Sequence, residues 1–91
     1  MFDLKEYGKK FRQEAKVYFM EEDLLGLERH FIRSRYELVD NGFDCDYAHK
    51  FLHDEVSKSV YEMHPDAIAQ IVLLQMFERI FPFMALKTKS D

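Results

Sequence analysis

The chain has little of what interrupts or cross-links a small fold. Its 91 residues include no tryptophan, one cysteine, two prolines and three glycines. The single cysteine, Cys45, excludes a disulfide within the chain and favours a reducing compartment. Few prolines and glycines leave little room for long loops, which favours helices. No basic stretch followed by an apolar one stands near Met1, so we expect no secretory signal and a cytoplasmic protein.

Positive charge is also in the minority. Seventeen acidic residues stand against thirteen basic ones, for a formal net charge of −4. Proteins that bind nucleic acid usually concentrate positive charge to displace counterions from phosphates, so nucleic acid is a poor default partner. A protein with a basic surface is a better one, because opposite fields accelerate encounter. The apolar stretch Ile68–Leu86 is interrupted by Glu78, Arg79 and Pro82, which argues against a membrane span.

Two amphipathic segments fill the first half of the chain. The first runs from Asp3, a predicted cap, to about Phe19, and the second ends at Asn41-Gly42. A single helix from Asp3 to Asp40 would be about 55 Å long, and half of it would lack a partner in a monomer. We therefore predict a break near Met20–Asp23, although a homodimer would permit a continuous helix.

Two further helices are predicted in the second half. The third runs from about Asp44 to Met63, and Pro65 starts the fourth, since proline suits a first helical turn. Within Ile68–Phe81 apolar residues point in every direction, and a helix that is apolar all round is expected to be enclosed by others. The sequence thus predicts one domain, 1–91: an all-α, up-down bundle of four helices, or three if the first two are continuous. Pro65–Phe81 is its expected central member and 87–91 a disordered tail.

Histidines give the first candidate chemistry. Cys45, His49 and His53 repeat every four residues on one helix face, and two histidines at that spacing can share a metal. The metalloprotease pattern needs Glu after the first histidine, where Lys50 stands. We therefore predict no metal and no cofactor. A metal-dependent hydrolase that uses His49, His53 and carboxylates such as the Glu37/Asp40 pair is the enzymatic alternative.

A basic patch gives the second candidate. Arg29, Arg33 and Arg35 could grip phosphate in a dimeric nucleic-acid-binding regulator. The same residues lie in the C-terminal half of a predicted helix, where cations are favoured in any protein. The patch is therefore an alternative rather than the preferred site.

Two features fit binding better than catalysis. One is an apolar tail after the helix-breaking proline, made of Phe81, Phe83, Met84 and Leu86. The other is an acidic set around the corner between the second and third helices. Its members are Asp40, Asp44, Asp46, Asp54 and Glu55. The resulting hypothesis is a small, acidic, non-enzymatic protein-binding module, most concretely an immunity or inhibitor protein that neutralises a basic toxin or nuclease.

Overall fold

The computed structural model describes residues 2–63 and 66–80, which form four helices and, within those ranges, no strand. They are α1 (Leu4–Met20), α2 (Leu24–Asp40), α3 (Cys45–Met63) and α4 (Ala67–Ile80). The predicted all-α bundle is confirmed, and so is the break between the first two helices. None of these helices has the combination of length and hydropathy that a membrane span requires.

An aspartate precedes each helix and caps it. The Asp3 carboxylate accepts from the backbone N–H of Glu6 (3.2 Å), and the Asp23 carboxylate accepts from that of Gly26 (2.8 Å). Asp44 and Asp66 do the same for the first turns of α3 and α4. A side-chain acceptor satisfies backbone donors that have no partner inside the helix. The short polar residues between apolar runs therefore define where each helix begins.

Two corners need a left-handed backbone. Between α2 and α3 this falls on Gly42, with φ of 99°, as the Asn-Gly pair predicts. Between α1 and α2 it falls on Glu22, with φ of 56°, where a Cβ makes the conformation costly. The backbone at the α1–α2 corner thus adopts a conformation that a glutamate residue by itself disfavours.

The core lies between α1, α2 and α3. Helix α3 packs on all three of its sisters and is the central helix of the bundle. The buried apolar residues cluster in one continuous core. They are Phe11, Ala15, Phe19, Leu27, Phe31, Leu38, Ala48, Leu52, Val56, Val60 and Phe77.

The prediction that the fourth helix is the enclosed, central member is wrong. Helix α4 lies at the edge of the bundle and packs mainly on α3. Phe77 is its buried residue, whereas Ile68, Ile71 and Val72 expose 72%, 54% and 48% of their surface. An apolar composition shows that a helix face needs covering but does not show that the same chain covers it. His64-Pro65 and residues 81–91, with the apolar tail and the expected disordered end, lie outside the described residues.

Candidate functional site

The acidic set predicted from sequence divides into two groups. Asp40, Asp44 and Asp46 lie at the corner where α2 ends and α3 begins. Asp40 and Asp44 are exposed, and Asp46 is half-exposed with a 3.4 Å ion pair to Lys50. The Asp44 carboxylate also caps α3 by accepting from the N–H groups of Asp46 and Tyr47. These three acids form what we term the acidic corner.

Asp54 and Glu55 lie further along α3, about 15 Å from Asp44 at 1.5 Å per residue. Asp54 is exposed and pairs with Lys58. Glu55 is only 5% exposed, and its Oε1 lies 2.8 Å from Nε of Arg12 on α1. Glu55 therefore joins α1 to α3 and is not part of an accessible acidic face. A buried carboxylate with a guanidinium beside it is costly to disturb from either side.

Aromatic rings line the same end of α3 as the acidic corner. Phe43 stacks on Tyr47 with 5.9 Å between centroids, and Tyr47 stacks on Phe51 at 6.3 Å. Phe2 meets Phe43 edge-on at 5.7 Å. Tyr47 nevertheless leaves 48% of its surface exposed. The corner therefore offers carboxylates beside a ring that its neighbours hold in place.

The three arginines predicted as one patch do not all lie on one face of α2, because Arg35 points away from the other two. Arg33 is exposed and lines a cleft between α1 and α2. Arg35 turns towards α3, where its Nη1 lies 3.0 Å from Nδ1 of His49 and its guanidinium carbon 5.9 Å from the Phe31 ring centre. Arg29 is exposed. The division follows from helical geometry, because residues 33 and 35 are about 200° apart on a helix.

The histidines on α3 have partners within the fold. Nδ1 of His49 accepts from Arg35, and the ring is buried against Phe31. Nε2 of His53 lies 2.7 Å from Oε1 of Glu78 on α4. Cys45 is exposed at the start of the helix. Among the described residues no three His, Cys, Asp or Glu side chains come together as a metal-binding group. The contact with Arg35 places a cation at the Nδ1 lone pair of His49, which is therefore not available to a metal.

A cleft of about 370 Å³ between α1 and α2 did not emerge from the sequence. At one end the hydroxyl of Tyr7 donates to Oε1 of Glu37 (2.8 Å) and lies 3.4 Å from the carbonyl of Ser34. Burial, and the nearby carboxylate, raise the pKa of Tyr7 to about 12. The Tyr7 phenol is thus a neutral donor. Glu37, one half of the predicted Glu37/Asp40 pair, is occupied by this contact.

His30 lies deeper in the same cleft. Its ring stacks on Phe11 and has an oxygen acceptor near each nitrogen: Oε1 of Glu14 at Nδ1 and the Phe11 carbonyl at Nε2, both 3.4 Å away. A neutral ring can donate to only one of them. Burial lowers the pKa of His30, although the Glu14 carboxylate and the Phe11 carbonyl each act to raise it. The imidazole is therefore held neutral by its apolar surroundings.

The polar groups that line this cleft contact mainly one another. Its hydroxyl and imidazole have partners inside the protein, and Lys10 and Arg33 along the lining are balanced by Glu14 and Glu37. The sequence contained one sign of this cleft. Tyr7 and Phe11 on α1 are four residues apart, and so are His30 and Ser34 on α2. Helical spacing shows which side chains share a face but not which faces meet.

No family model, no curated protein and no solved structure matches the chain. The function must therefore be inferred from the geometry of the chain itself.

Proposed function

We propose that the chain is a small, non-enzymatic protein-binding module whose acidic corner engages a basic surface on another protein. The observation that carries the proposal is the half-exposed Tyr47 ring at the same corner of the bundle as the carboxylates of Asp40, Asp44 and Asp46. Tyrosine is enriched among residues that dominate binding energy, and complementary charge accelerates and orients encounter. The most concrete form of the proposal is a cytoplasmic immunity or inhibitor protein that neutralises a basic toxin or nuclease.

The rigidity of the corner supports this role. Asp44 is fixed by the α3 backbone, and Tyr47 is held between Phe43 and Phe51. Groups that are already ordered lose little conformational entropy on binding, so more of the contact energy appears as affinity. An inhibitor needs such a preformed surface and no reactive group. The net charge of −4 gives the whole molecule an attractive field for a basic partner.

For some of the acidic residues a substitution would disturb the fold, and for others it would test partner binding. Reversing Glu55 would leave Arg12 without its partner, and reversing Asp44 would remove a helix cap, so both would disturb the fold. Asp40 and Asp46 are the usable positions. The variant Asp40→Lys/Asp46→Lys should lose the partner and keep the helical circular dichroism spectrum.

A matched control is Glu21→Lys/Glu28→Lys, which makes the same change in net charge at the opposite end of α2. Immobilised wild-type protein, both variants and native cell extract would be compared by affinity capture at low and high salt. We expect one basic protein to be retained by the wild type and the control, released by salt, and absent from the Asp40→Lys/Asp46→Lys column. Equal retention on all three columns, or no retained protein, would contradict the proposal.

A further inference from the structure

We propose that the cleft between α1 and α2 binds a small phosphate monoester, with its phosphate group between Lys10 and Arg33. The proposal does not depend on the acidic corner, because the two surfaces share no residue. It begins from these two exposed cations, which both line the cleft. Neither of them makes an ion pair with any residue in the described ranges 2–63 and 66–80. Each therefore has a charge that a ligand can neutralise.

Two contacts fix the register of α1 against α2. At one end of the cleft the Tyr7 hydroxyl lies 3.4 Å from the Ser34 carbonyl. One turn further along, the Phe11 carbonyl lies 3.4 Å from Nε2 of His30. Four residues on α1 thus match four residues on α2 in the opposite direction. Both cations lie between these contacts, one on each helix, so they come level with each other across the cleft.

The glutamates of the cleft do not pair with the two cations. Each cation has a glutamate four residues further along its own helix, a spacing at which opposite charges are neighbours. In the structure, however, Oε1 of Glu14 lies 3.4 Å from Nδ1 of His30. Oε1 of Glu37 accepts from the Tyr7 hydroxyl at 2.8 Å. The two positive charges are thus left facing each other, and an anion between them would replace their repulsion by attraction.

The charge of the two cations indicates a phosphate monoester. Such a group carries a charge of about −1.5 to −2 at pH 7, which matches both cations. A carboxylate or a phosphodiester carries a single negative charge and matches only one. The planar guanidinium of Arg33 can hold two phosphate oxygens at once, and the Lys10 ammonium adds a compact positive charge. The cleft volume of about 370 Å³ is within the range of small-molecule sites.

Aromatic rings supply a surface for the organic part of the ligand. The Phe11 and His30 rings stack with 4.4 Å between centroids, and the Tyr18 ring lies 5.5 Å from that of His30. All three line the cleft, and Tyr18 is only partly buried. Because His30 is neutral and Glu14 lies beside it, this end of the cleft favours an aromatic group over a second anion. Phenyl phosphate combines the two features and is therefore the probe.

The first test is an NMR titration of the ¹⁵N-labelled whole chain with phenyl phosphate. Amide signals of α1 and α2 along the cleft should shift and saturate, with a dissociation constant of about 1 mM for two charge-assisted contacts. Lys10→Gln and Arg33→Gln should each weaken binding about tenfold or more. Both side chains are exposed, so both variants should keep the helical circular dichroism spectrum.

Lys9→Gln and Arg29→Gln are the matched controls. They make the same change in net charge at exposed positions one residue and four residues away, outside the lining of the cleft. Exposed charges at a distance are largely screened by salt, so each control should change the dissociation constant by less than about twofold at 0.15 M salt. An equal loss in controls and cleft variants would show that the chain attracts anions without a site and would overturn the proposal.

Three further ligands distinguish the chemistry. Inorganic phosphate should shift the same signals but bind more weakly than phenyl phosphate, since it lacks the ring. Benzoate, which has the ring and one negative charge, should bind about tenfold more weakly, and so should dimethyl phosphate, which has the single charge of a nucleic-acid backbone. Dimethyl phosphate that binds as tightly as phenyl phosphate would overturn the monoester and favour a nucleic acid. No saturating shift in the cleft with 20 mM phenyl phosphate, about 20 times the expected dissociation constant, would overturn the proposal altogether.

Discussion

The imidazole of His30 lies face to face with the ring of Phe11, with 4.4 Å between centroids and 13° between planes. This stack joins α1 to α2 in the interior of the protein. It also removes the imidazole from water, which is the main reason that the pKa of His30 is lowered from its ordinary value of 6.5.

The first prediction concerns stability against pH. Because the pKa of His30 is lower in the fold than in the unfolded chain, the unfolded chain takes up this proton first as the pH falls. The stability that neutral His30 contributes is complete above about pH 6.5 and is lost as the pH falls towards the lowered pKa. His30→Gln lacks the stack and should be less stable at neutral pH. The difference between the two proteins should shrink on acidification.

Urea denaturation of both proteins at several pH values between about 7.5 and 5 would check this. All other titrating groups are common to the pair, so the difference isolates His30. A difference that stays constant or grows on acidification would show that His30 is not held neutral in the fold.

The second prediction concerns the α1–α2 corner. Glu22→Gly removes the Cβ from a residue with φ of 56°, where a side chain costs about 1–2 kcal/mol. Glycine also makes the unfolded chain more flexible, which offsets about 0.5–1 kcal/mol of the gain. The free energy of unfolding should therefore rise by about 0.5–1 kcal/mol. Glu21→Gly, one residue earlier at φ of −89°, should lower it instead. Two changes of the same sign in chemical denaturation would refute the account.

The third prediction concerns the approach of α1 to α3. A Cβ on Gly8 would lie 2.8 Å from Cζ of Phe51 and 3.1 Å from Oε2 of the buried Glu55. Alanine favours a helix over glycine by about 1 kcal/mol, but displacing packed neighbours costs about 1–3 kcal/mol. Gly8→Ala should thus lower the free energy of unfolding by about 1 kcal/mol. Lys9→Ala, on the exposed side of α1, should change it by less than about 0.5 kcal/mol. A stabilised Gly8→Ala protein would mean that α1 and α3 are further apart.

The fourth prediction concerns the attachment of α4. Phe77 is 1% exposed and lies 5.7 Å from the Phe31 ring and 5.1 Å from that of His53. Phe77→Ala should cost about 3–5 kcal/mol and release α4 from α3. Hydrogen exchange should then accelerate across Ala67–Ile80 more than in α1 to α3.

Ile71→Ala is the control on the same helix, because Ile71 lies on the exposed side. This substitution should leave hydrogen exchange nearly unchanged. Uniform acceleration in all four helices after Phe77→Ala would indicate that α4 unfolds only together with the rest of the protein.

Local features of this fold were predictable from the sequence. Asp3, Asp44 and Asp66 identify helix starts, and Asn41-Gly42 identifies a stop, because caps and left-handed turns depend on a few adjacent residues. The break after Met20 followed from length alone, since a longer helix would have lacked a partner. Fold class and helix order followed from these signals together with the helical spacing of the apolar residues.

Features that depend on two helices meeting were not predictable. Glu55 was included in an acidic surface because charged residues are usually exposed, and its partner Arg12 lies on another helix. His30 showed no signal for the same reason. The prediction that α4 is central was wrong for a different reason. Apolar residues all round a helix do not show whether the same chain or another one buries them. Whether the acidic corner binds a partner stays a prediction.

All the described core residues except Phe77 lie between Phe11 and Val60. During synthesis the N-terminal part of a chain leaves the ribosome first, and it can fold before the rest arrives. For this protein the core residues other than Phe77 are all present once the chain has reached Met63. We therefore expect α4, with Phe77, Leu73 and Leu74, to be the last helix added to the core.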